Sequence, residues 1–241
     1  MTFFLVPIPG FLTIPIFILV LAAVLPAVYL LIRVYRSDRI EKEPPGLILS
    51  LIGFGILAVF CSMVTESLGS RIADESSVWG RLLLYYVVVA LSEEGFKYFF
   101  LNRKTWKNPN FNYRFDGIVY AVSVGAGFAL FENLMYVFSY GFGTAVIRAV
   151  TAVPGHICFA VFMGTWYGQA KQLDMLGEKE AAGRCRALAL LIPLLLHGSY
   201  DFIATENTVP SVICFILFVV ILFYISIRRV RVESENDSYV G

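Results

Sequence analysis

Two adjacent carboxylates and a lysine interrupt an otherwise apolar stretch of the sequence, "VVVALSEEGFKYFF" (87–100). Glu93 lies four residues before Lys97 and Glu94 three before it, so on a helix the lysine can contact either acid. A charged side chain at the centre of a membrane costs on the order of 3 kcal/mol to insert. The stretch is therefore unfavourable in lipid unless other polar groups meet it.

Three further apolar stretches carry isolated polar groups: "FENLMY" (131–136) with Glu132, "PGHICF" (154–159) with His156, and "HGSYD" (197–201) with His197 and Asp201. His197 and Asp201 are four residues apart and share one helix face. A rise of about 1.5 Å per residue predicts Glu93 and His156 near the membrane midplane, and Glu132, His197 and Asp201 nearer the outer surface. We expect these groups to converge on one site that opens toward the outside.

Carboxylates and histidines around a water-accessible cavity suit hydrolysis. Glu93 or Glu94 can take a proton from water as general base, and since adjacent helical residues point about 100° apart, only one of them is expected to face the cavity squarely. A histidine can stabilise an oxyanion or protonate a leaving amine. No serine stands in a nucleophile-elbow context, which disfavours serine-type chemistry.

The same groups could hold a divalent metal such as zinc, in which case the ligands would be Glu93, Glu132, His156 and His197. The sequence contains no HExxH motif, so the pattern itself requires no cofactor.

Two of the candidate residues have simpler explanations. Lys97 lies about one turn from the inner end of its segment, so its ammonium could extend to the cytoplasmic interface. Asp201 could be a helix-end residue, although its spacing from His197 favours an orienting role.

The composition identifies a membrane protein. The 241 residues are 58% hydrophobic and 15% charged, with a mean hydropathy of +0.74, whereas an ordinary soluble domain has roughly 25% charged residues. Backbone groups in lipid must pair internally, which favours helices. The net charge of +1 gives no indication of nucleic acid binding.

Seven apolar segments approach the roughly 20 residues needed to cross a bilayer. They lie at about 11–32, 47–67, 81–101, 116–139, 144–168, 186–204 and 210–227. Most of the 19 Lys and Arg residues fall in alternate loops and in the tail, and cytoplasmic loops are the ones enriched in these residues. The sequence thus predicts an all-α, polytopic bundle of about seven transmembrane helices, with the N-terminus outside and the C-terminus cytoplasmic.

A single transmembrane domain is expected to occupy residues 1–241, with a catalytic core at about 38–204 and a polar cytoplasmic tail at 228–241. Pro154 and Pro193 are expected inside spans, where each would free the backbone carbonyl one turn earlier.

Four stretches match, in order, the motifs of a known family: "EEGFK" (93–97) matches EExxK, "FENLMY" matches FExxxY, "HICF" (156–159) matches HxxF and "HGSYD" matches HxxxD, while "EKEP" (41–44) is also typical. The chain resembles the PrsW family of bacterial intramembrane proteases, itself similar to CAAX prenyl proteases and bacteriocin-processing enzymes. The resemblance covers roughly residues 38–204.

This resemblance implies a multi-pass protease of the bacterial cytoplasmic membrane. Its substrate would be a single-pass membrane anti-sigma factor, which it would cut first, at site 1, on the extracytoplasmic side. A site-2 protease would then act on the product and so release an envelope-stress sigma factor. By motif position, the implied site residues are Glu93, Glu94, Lys97, Glu132, His156, His197 and Asp201, with Lys97 tuning the acids.

Two other classes of protein could use such a sequence. A proton- or ion-coupled transporter could employ the buried Glu, His, Asp and Lys groups as a relay, although no inverted repeat is evident. A catalytically inactive receptor or scaffold would need no particular pair of acids.

Overall fold

The computed structural model describes residues 16–206 and 208–240 of the chain. In this part the elements are α1 (Ile16–Ser37), α2 (Pro45–Gly69), α3 (Val78–Leu82), a π-helical segment (Leu83–Ala90), α4 (Leu91–Thr105), α5 (Asp116–Tyr140), α6 (Phe142–Val150), α7 (Ala152–Met175), α8 (Lys179–Ala204) and α9 (Val209–Glu235). The first predicted span starts earlier, and its residues 11–15 lie outside the described residues.

The described residues contain six candidate spans that are long and apolar enough to cross a membrane: α1, α2, α5, α8, α9, and α6 and α7 taken together as one span. The remaining predicted span, 81–101, corresponds to α3, the π-helical segment and α4. These three run into one another without a break, since the junction residues Leu82 and Ala90 keep helical backbone angles. The prediction of a polytopic all-α membrane protein is confirmed.

The predicted span 144–168 consists of two helices instead of one. Thr151 leaves the helical conformation, with φ −122° and ψ −77°, and separates α6 from α7. Pro154 is therefore in the first turn of α7, where a backbone N–H has no partner within the helix and proline is tolerated. Pro154 thus lies inside the predicted span and close to a helix break, but it removes no hydrogen bond from the interior of a helix, whereas Pro193 does lie inside α8.

Helix α5 forms the centre of the bundle and packs against α1, α2, α4 and α7. Glycines bring the backbones close together at two of these contacts. A Cβ atom added at Gly55 of α2 would lie 2.1 Å from the carbonyl oxygen of Val124, and one added at Gly164 of α7 would lie 2.4 Å from the Cα atom of Ile118. The chain can therefore place polar side chains of neighbouring helices within hydrogen-bond distance of one another.

The "EKEP" stretch (41–44) anchors the loop before α2 to α5. The Tyr120 hydroxyl donates to Glu43 Oε2 at 2.7 Å, and the Tyr35 hydroxyl donates to the Glu43 carbonyl oxygen at 2.9 Å. Asn112 donates to Glu41 Oε2 at 3.2 Å. The motif thus has a structural role at the end of the bundle that carries the Lys- and Arg-rich loops 33–46, 102–115 and 169–186, which we call the arginine-rich end.

Residues 228–240, most of the region expected as a polar tail, pack onto the bundle. Helix α9 continues to Glu235, and the residues after it pack on the loop before α5. The Phe115 N–H donates to Asp237 Oδ1 at 2.8 Å, and the Val240 N–H donates to the Asn112 carbonyl oxygen at 2.6 Å. The residues that follow α9 are thus attached to the same end of the bundle as the "EKEP" stretch.

Candidate active site

The polar residues singled out in the sequence meet inside the bundle. They come from four helices: Glu93, Glu94 and Lys97 from α4, Glu132 from α5, His156 from α7, and His197 and Asp201 from α8. Each is at most 8% exposed. Because a buried charge needs partners, the contacts among these residues decide how the cluster is held.

Lys97 of α4 connects its own helix with α5 and α7. Its ammonium contacts Glu93 Oε2 at 3.3 Å, Glu94 Oε1 at 2.8 Å and His156 Nδ1 at 3.2 Å. It also lies 3.8 Å from the centre of the Phe128 ring, a favourable cation–π position. A lysine ammonium has three hydrogens, so these contacts use all of them. Lys97 points into the cluster and does not extend to the interface.

His156 bridges Lys97 and Glu132. Its Nε2 atom lies 2.8 Å from Glu132 Oε2, and since an ionised carboxylate only accepts hydrogen bonds, Nε2 carries the proton. Nδ1 is then free to accept from the Lys97 ammonium. The partners therefore assign a neutral imidazole whose two nitrogen atoms are both engaged.

Arg148 belongs to the site, although it was not among the candidate residues from the sequence. Its Nη2 atom donates to Glu132 Oε2 at 2.7 Å and its Nε atom donates to Asn133 Oδ1 at 3.1 Å. The guanidinium also lies 3.9 Å from the centre of the Tyr136 ring. Asn133 in turn donates to the Ala23 carbonyl oxygen at 2.9 Å, which ties the group to α1. The sequence signal was an arginine inside the apolar run "TAVIRAV" (144–150).

His197 is held from both sides. Its Nδ1 atom donates to Glu94 Oε1 at 2.9 Å, and its Nε2 atom lies 3.4 Å from Asp201 Oδ2 and 3.9 Å from Glu93 Oε2. The Phe159 ring stacks on the imidazole with centroids 4.9 Å apart. Three carboxylates around one imidazole favour its protonated form.

A cavity of about 180 Å³ opens beside this network. Five of the seven candidate residues line it: Glu93, Glu132, His156, His197 and Asp201. Glu94 and Lys97 are absent from the described lining and lie behind it. The cavity also reaches Tyr140 and Ala204, the last residues of α5 and α8. It therefore faces the end of the bundle opposite the arginine-rich loops, as the depth argument predicted.

Glu66 of α2 is a further acid near the site that sequence reasoning missed. It and Asp201 both line a separate cavity of about 280 Å³. Its Oε1 atom is buried without a hydrogen-bond partner among the described residues. The sequence signal was a single acid near the end of an apolar run, which also fits a helix-end residue.

The residues can supply a metal site. One potential ligand atom from each of Glu93, Glu94, His156 and His197 lies within 4.8 Å of the others. The Oε2 atom of Glu94 is buried without a hydrogen-bond partner in the described part of the chain. Imidazole and carboxylate are ordinary zinc ligands, so the donor types fit. The expected set had Glu132 in place of Glu94, but Glu132 Oε2 is bound to Arg148 and His156.

Known proteins resemble this chain over most of its length. Residues 43–226 match the model of a family described as "PrsW family intramembrane metalloprotease". A protein named "Protease PrsW" from Halalkalibacterium halodurans is 31% identical over 92% of this chain and 99% of its own length. Proteins of the same name from Oceanobacillus iheyensis and Bacillus subtilis are 34% and 30% identical, each over 89% of this chain and 95% of their own length. No solved structure matches the chain.

The matched range includes all seven candidate residues together with Arg148 and Glu66. It also includes the "EKEP" glutamate Glu43 and ends within α9. These matches are stronger evidence of family membership than the four short motifs, because they extend over most of the chain. The chain is a multi-pass membrane peptidase and belongs to the PrsW family of intramembrane proteases.

Proposed function

We propose that this peptidase makes the first, site-1 cut in a single-pass transmembrane anti-sigma factor, on the extracytoplasmic side of the bacterial cytoplasmic membrane. A site-2 protease would then act on the product and release an envelope-stress sigma factor. The observation that carries the proposal is the cavity that connects Glu93 and His197 with the end of the bundle opposite the arginine-rich loops. A substrate segment that enters the cavity from that side can bring its scissile bond to both residues.

Glu93 is the residue suited to activate water. It lines the cavity, whereas Glu94 is 1% exposed and holds Lys97 and His197. The 3.9 Å between Glu93 Oε2 and His197 Nε2 leaves both atoms facing the same space. In the proposed reaction, Glu93 takes a proton from water, and the resulting hydroxide adds to the carbonyl carbon of the scissile bond.

His197 is suited to the second half of the reaction. Its Nε2–H can stabilise the oxyanion and then protonate the leaving amine, while Glu94 fixes the ring through Nδ1 and Asp201 lies at Nε2. Glu132 balances the charge of Arg148 and accepts a hydrogen bond from the neutral His156, which holds the opposite wall of the cavity in place. Each of these residues thus has a distinct role.

A metal-dependent form of the same reaction is favoured by one observation, the close grouping of Glu93, Glu94, His156 and His197. These four residues would hold a zinc ion, which would supply a Lewis acid and a more acidic water. Lys97 contacts three of the four, so its ammonium occupies the position between them and would have to move away.

The proposal is tested with purified full-length protein and a candidate single-pass anti-sigma factor. We expect the parent to cut the substrate on its extracytoplasmic side. Glu93→Gln should lower the rate about 10²- to 10⁴-fold, because a general base contributes that much. Glu75→Gln, in an exposed loop, is the matched control and should cut like the parent.

Two outcomes would contradict the proposal. If the parent leaves every such substrate intact, the assignment of the substrate is lost. If Glu93→Gln cuts as fast as Glu75→Gln, then Glu93 is not the base. Exhaustive chelation, applied to the parent, separates the two forms of the reaction, because a rate that falls and returns with added zinc requires a metal.

A further inference from the structure

A second, larger opening lies at the arginine-rich end of the bundle, between α1, α7 and α9. It measures about 620 Å³, and we call it the basic groove. Its walls are mainly apolar and include Leu30, Ile157, Val161, Phe223, Ile227 and Val230. Four arginines lie at its mouth: Arg33, Arg36, Arg39 and Arg231. An apolar groove with a cationic mouth suits an amphiphile that has an anionic head.

The charges at the mouth are only partly balanced. Arg39 and Arg231 both contact Glu235 Oε1, at 3.4 Å and 3.1 Å. Arg33 and Arg36 are exposed and form no ion pair with any described residue. No carboxylate belongs to the described lining of the groove. The mouth therefore has an excess of positive charge that an anion from outside the chain can neutralise.

The membrane itself supplies such an anion. Basic pockets between transmembrane helices are typical sites for anionic lipid head groups. The groove runs from the arginines along α1, α7 and α9, which line it mainly with apolar side chains, so an acyl chain can follow its length. Residues 1–15 contain no Asp or Glu and cannot match the arginines in charge.

We propose that the basic groove binds one anionic glycerophospholipid, with the phosphate on Arg33 and Arg36 and an acyl chain between α7 and α9. The groove and the active site share α7, since Ile157 lines the groove and the adjacent His156 lines the catalytic cavity. A bound lipid thus supports, from behind, the helix that positions His156.

The test is native mass spectrometry of the full-length protein, purified in detergent and supplied with equal amounts of dioleoyl phosphatidylglycerol and dioleoyl phosphatidylcholine. We expect one phosphatidylglycerol to be retained in preference to phosphatidylcholine. Arg33→Gln with Arg36→Gln should lower that retention roughly 5-fold for each arginine removed. Equal retention of the two lipids by the parent would overturn the proposal.

Two controls separate a built site from general attraction to a basic surface. Arg103→Gln with Lys107→Gln removes the same charge from exposed residues in and just after α4, outside the groove, and should retain the lipid like the parent. Ser226→Trp fills the groove without changing its charge and should lower retention. Equal loss of bound lipid in both double variants would refute lipid binding in the basic groove. Full retention of the lipid by a folded Ser226→Trp protein would refute it as well.

The source of the phosphate is tested with inorganic phosphate at 10 mM. It should leave the bound phosphatidylglycerol in place, because it lacks an acyl chain. Complete displacement would show that the arginines bind phosphate alone and would overturn the lipid assignment. Thermal unfolding of each variant in detergent identifies any that is not folded, and Arg33→Lys with Arg36→Lys, which keeps the charge, should restore retention.

Discussion

Glu93 and Glu94 are adjacent in sequence but face different partners. Glu93 faces the catalytic cavity, whereas Glu94 faces Lys97 and His197. Helix geometry predicted that only one would face the centre squarely, but it could not say which, because the rotation of α4 depends on its packing against other helices. Arg148 was missed for the same reason, because the packing of one helix against another cannot be derived from spacing along the sequence. Its partner Glu132 is 16 residues away, on a separate helix.

Arg148 is expected to be needed for activity. Its guanidinium contacts both Glu132 and Asn133, and removing one partner of a buried pair leaves the other charge unpaired, which costs about 3–5 kcal/mol. Arg148→Gln should therefore lower both the unfolding temperature and the rate of substrate cleavage.

Two variants accompany Arg148→Gln in the cleavage assay. Arg148→Lys keeps the charge but not the paired hydrogen bonds, so it should recover only part of the rate. Arg81→Gln breaks a partly exposed pair with Glu206, 3.1 Å long, and should leave the rate unchanged because exposed pairs contribute little. Arg148→Gln protein that is folded and cleaves as fast as the Arg81→Gln protein would contradict the role given to Arg148.

Glu43 is expected to make stability depend on pH. Burial raises the pKa of its carboxyl from 4.5 to about 6 in the folded protein. Folding thus favours the protonated form, so the stabilising contribution is complete below pH 4.5 and is lost as the pH rises through 6. Thermal unfolding in detergent between pH 4.5 and 7 should show a smaller decrease for Glu43→Gln than for the parent.

Glu41→Gln, in the same loop but exposed, is the control for Glu43. Its unfolding temperature should follow the parent's dependence on pH. Identical curves for all three proteins would show that Glu43 is ionised equally in the folded and unfolded states.

At the level of helices, the apolar segments were predictable, because a span in lipid must be long and apolar. The breaks within them were less predictable. Thr151 separates α6 from α7 without a glycine at the junction, so hydropathy alone predicts one continuous span there. Helix α9 extends beyond the predicted span because pairs four residues apart, Arg229 with Glu233 and Arg231 with Glu235, stabilise its charged last turns.

The crossing of α2 and α5 provides a matched test of close packing. Gly55→Ala would place a Cβ atom 2.1 Å from the Val124 carbonyl oxygen, whereas a Cβ atom at Gly53 meets nothing within 4 Å. Overpacking typically costs about 1–3 kcal/mol. Gly55→Ala should therefore lower the unfolding temperature in detergent, and Gly53→Ala should leave it nearly unchanged. Equal unfolding temperatures for the two variants would show that α2 and α5 can separate without loss of stability.

At the scale of the whole molecule, the convergence of the site was predictable because separate polar groups in four apolar spans are unfavourable unless they meet. The composition could not reveal the basic groove, since the groove depends on how α1, α7 and α9 are spaced. The orientation of the bundle in the membrane is still a prediction from the Lys and Arg bias.

Cysteine labelling in intact cells checks that orientation. In a variant without the native cysteines, Glu75→Cys should react with a membrane-impermeant maleimide, whereas Lys107→Cys should react only after the cells are permeabilised. Both positions are exposed, so access to the reagent decides the result. The reverse pattern would place the arginine-rich end outside and would refute the predicted side of cleavage.

The network around Lys97 also constrains how the chain is made. His156 follows Lys97 by 59 residues, and His197 follows Glu94 by 103 residues. When α4 emerges from the ribosome, these partners have not yet been synthesised, and a helix with three charged residues among its buried positions does not enter lipid readily by itself. We therefore expect α4 to be stably inserted only once α7 and α8 have been made, so that the proteolytic centre is completed late in biogenesis.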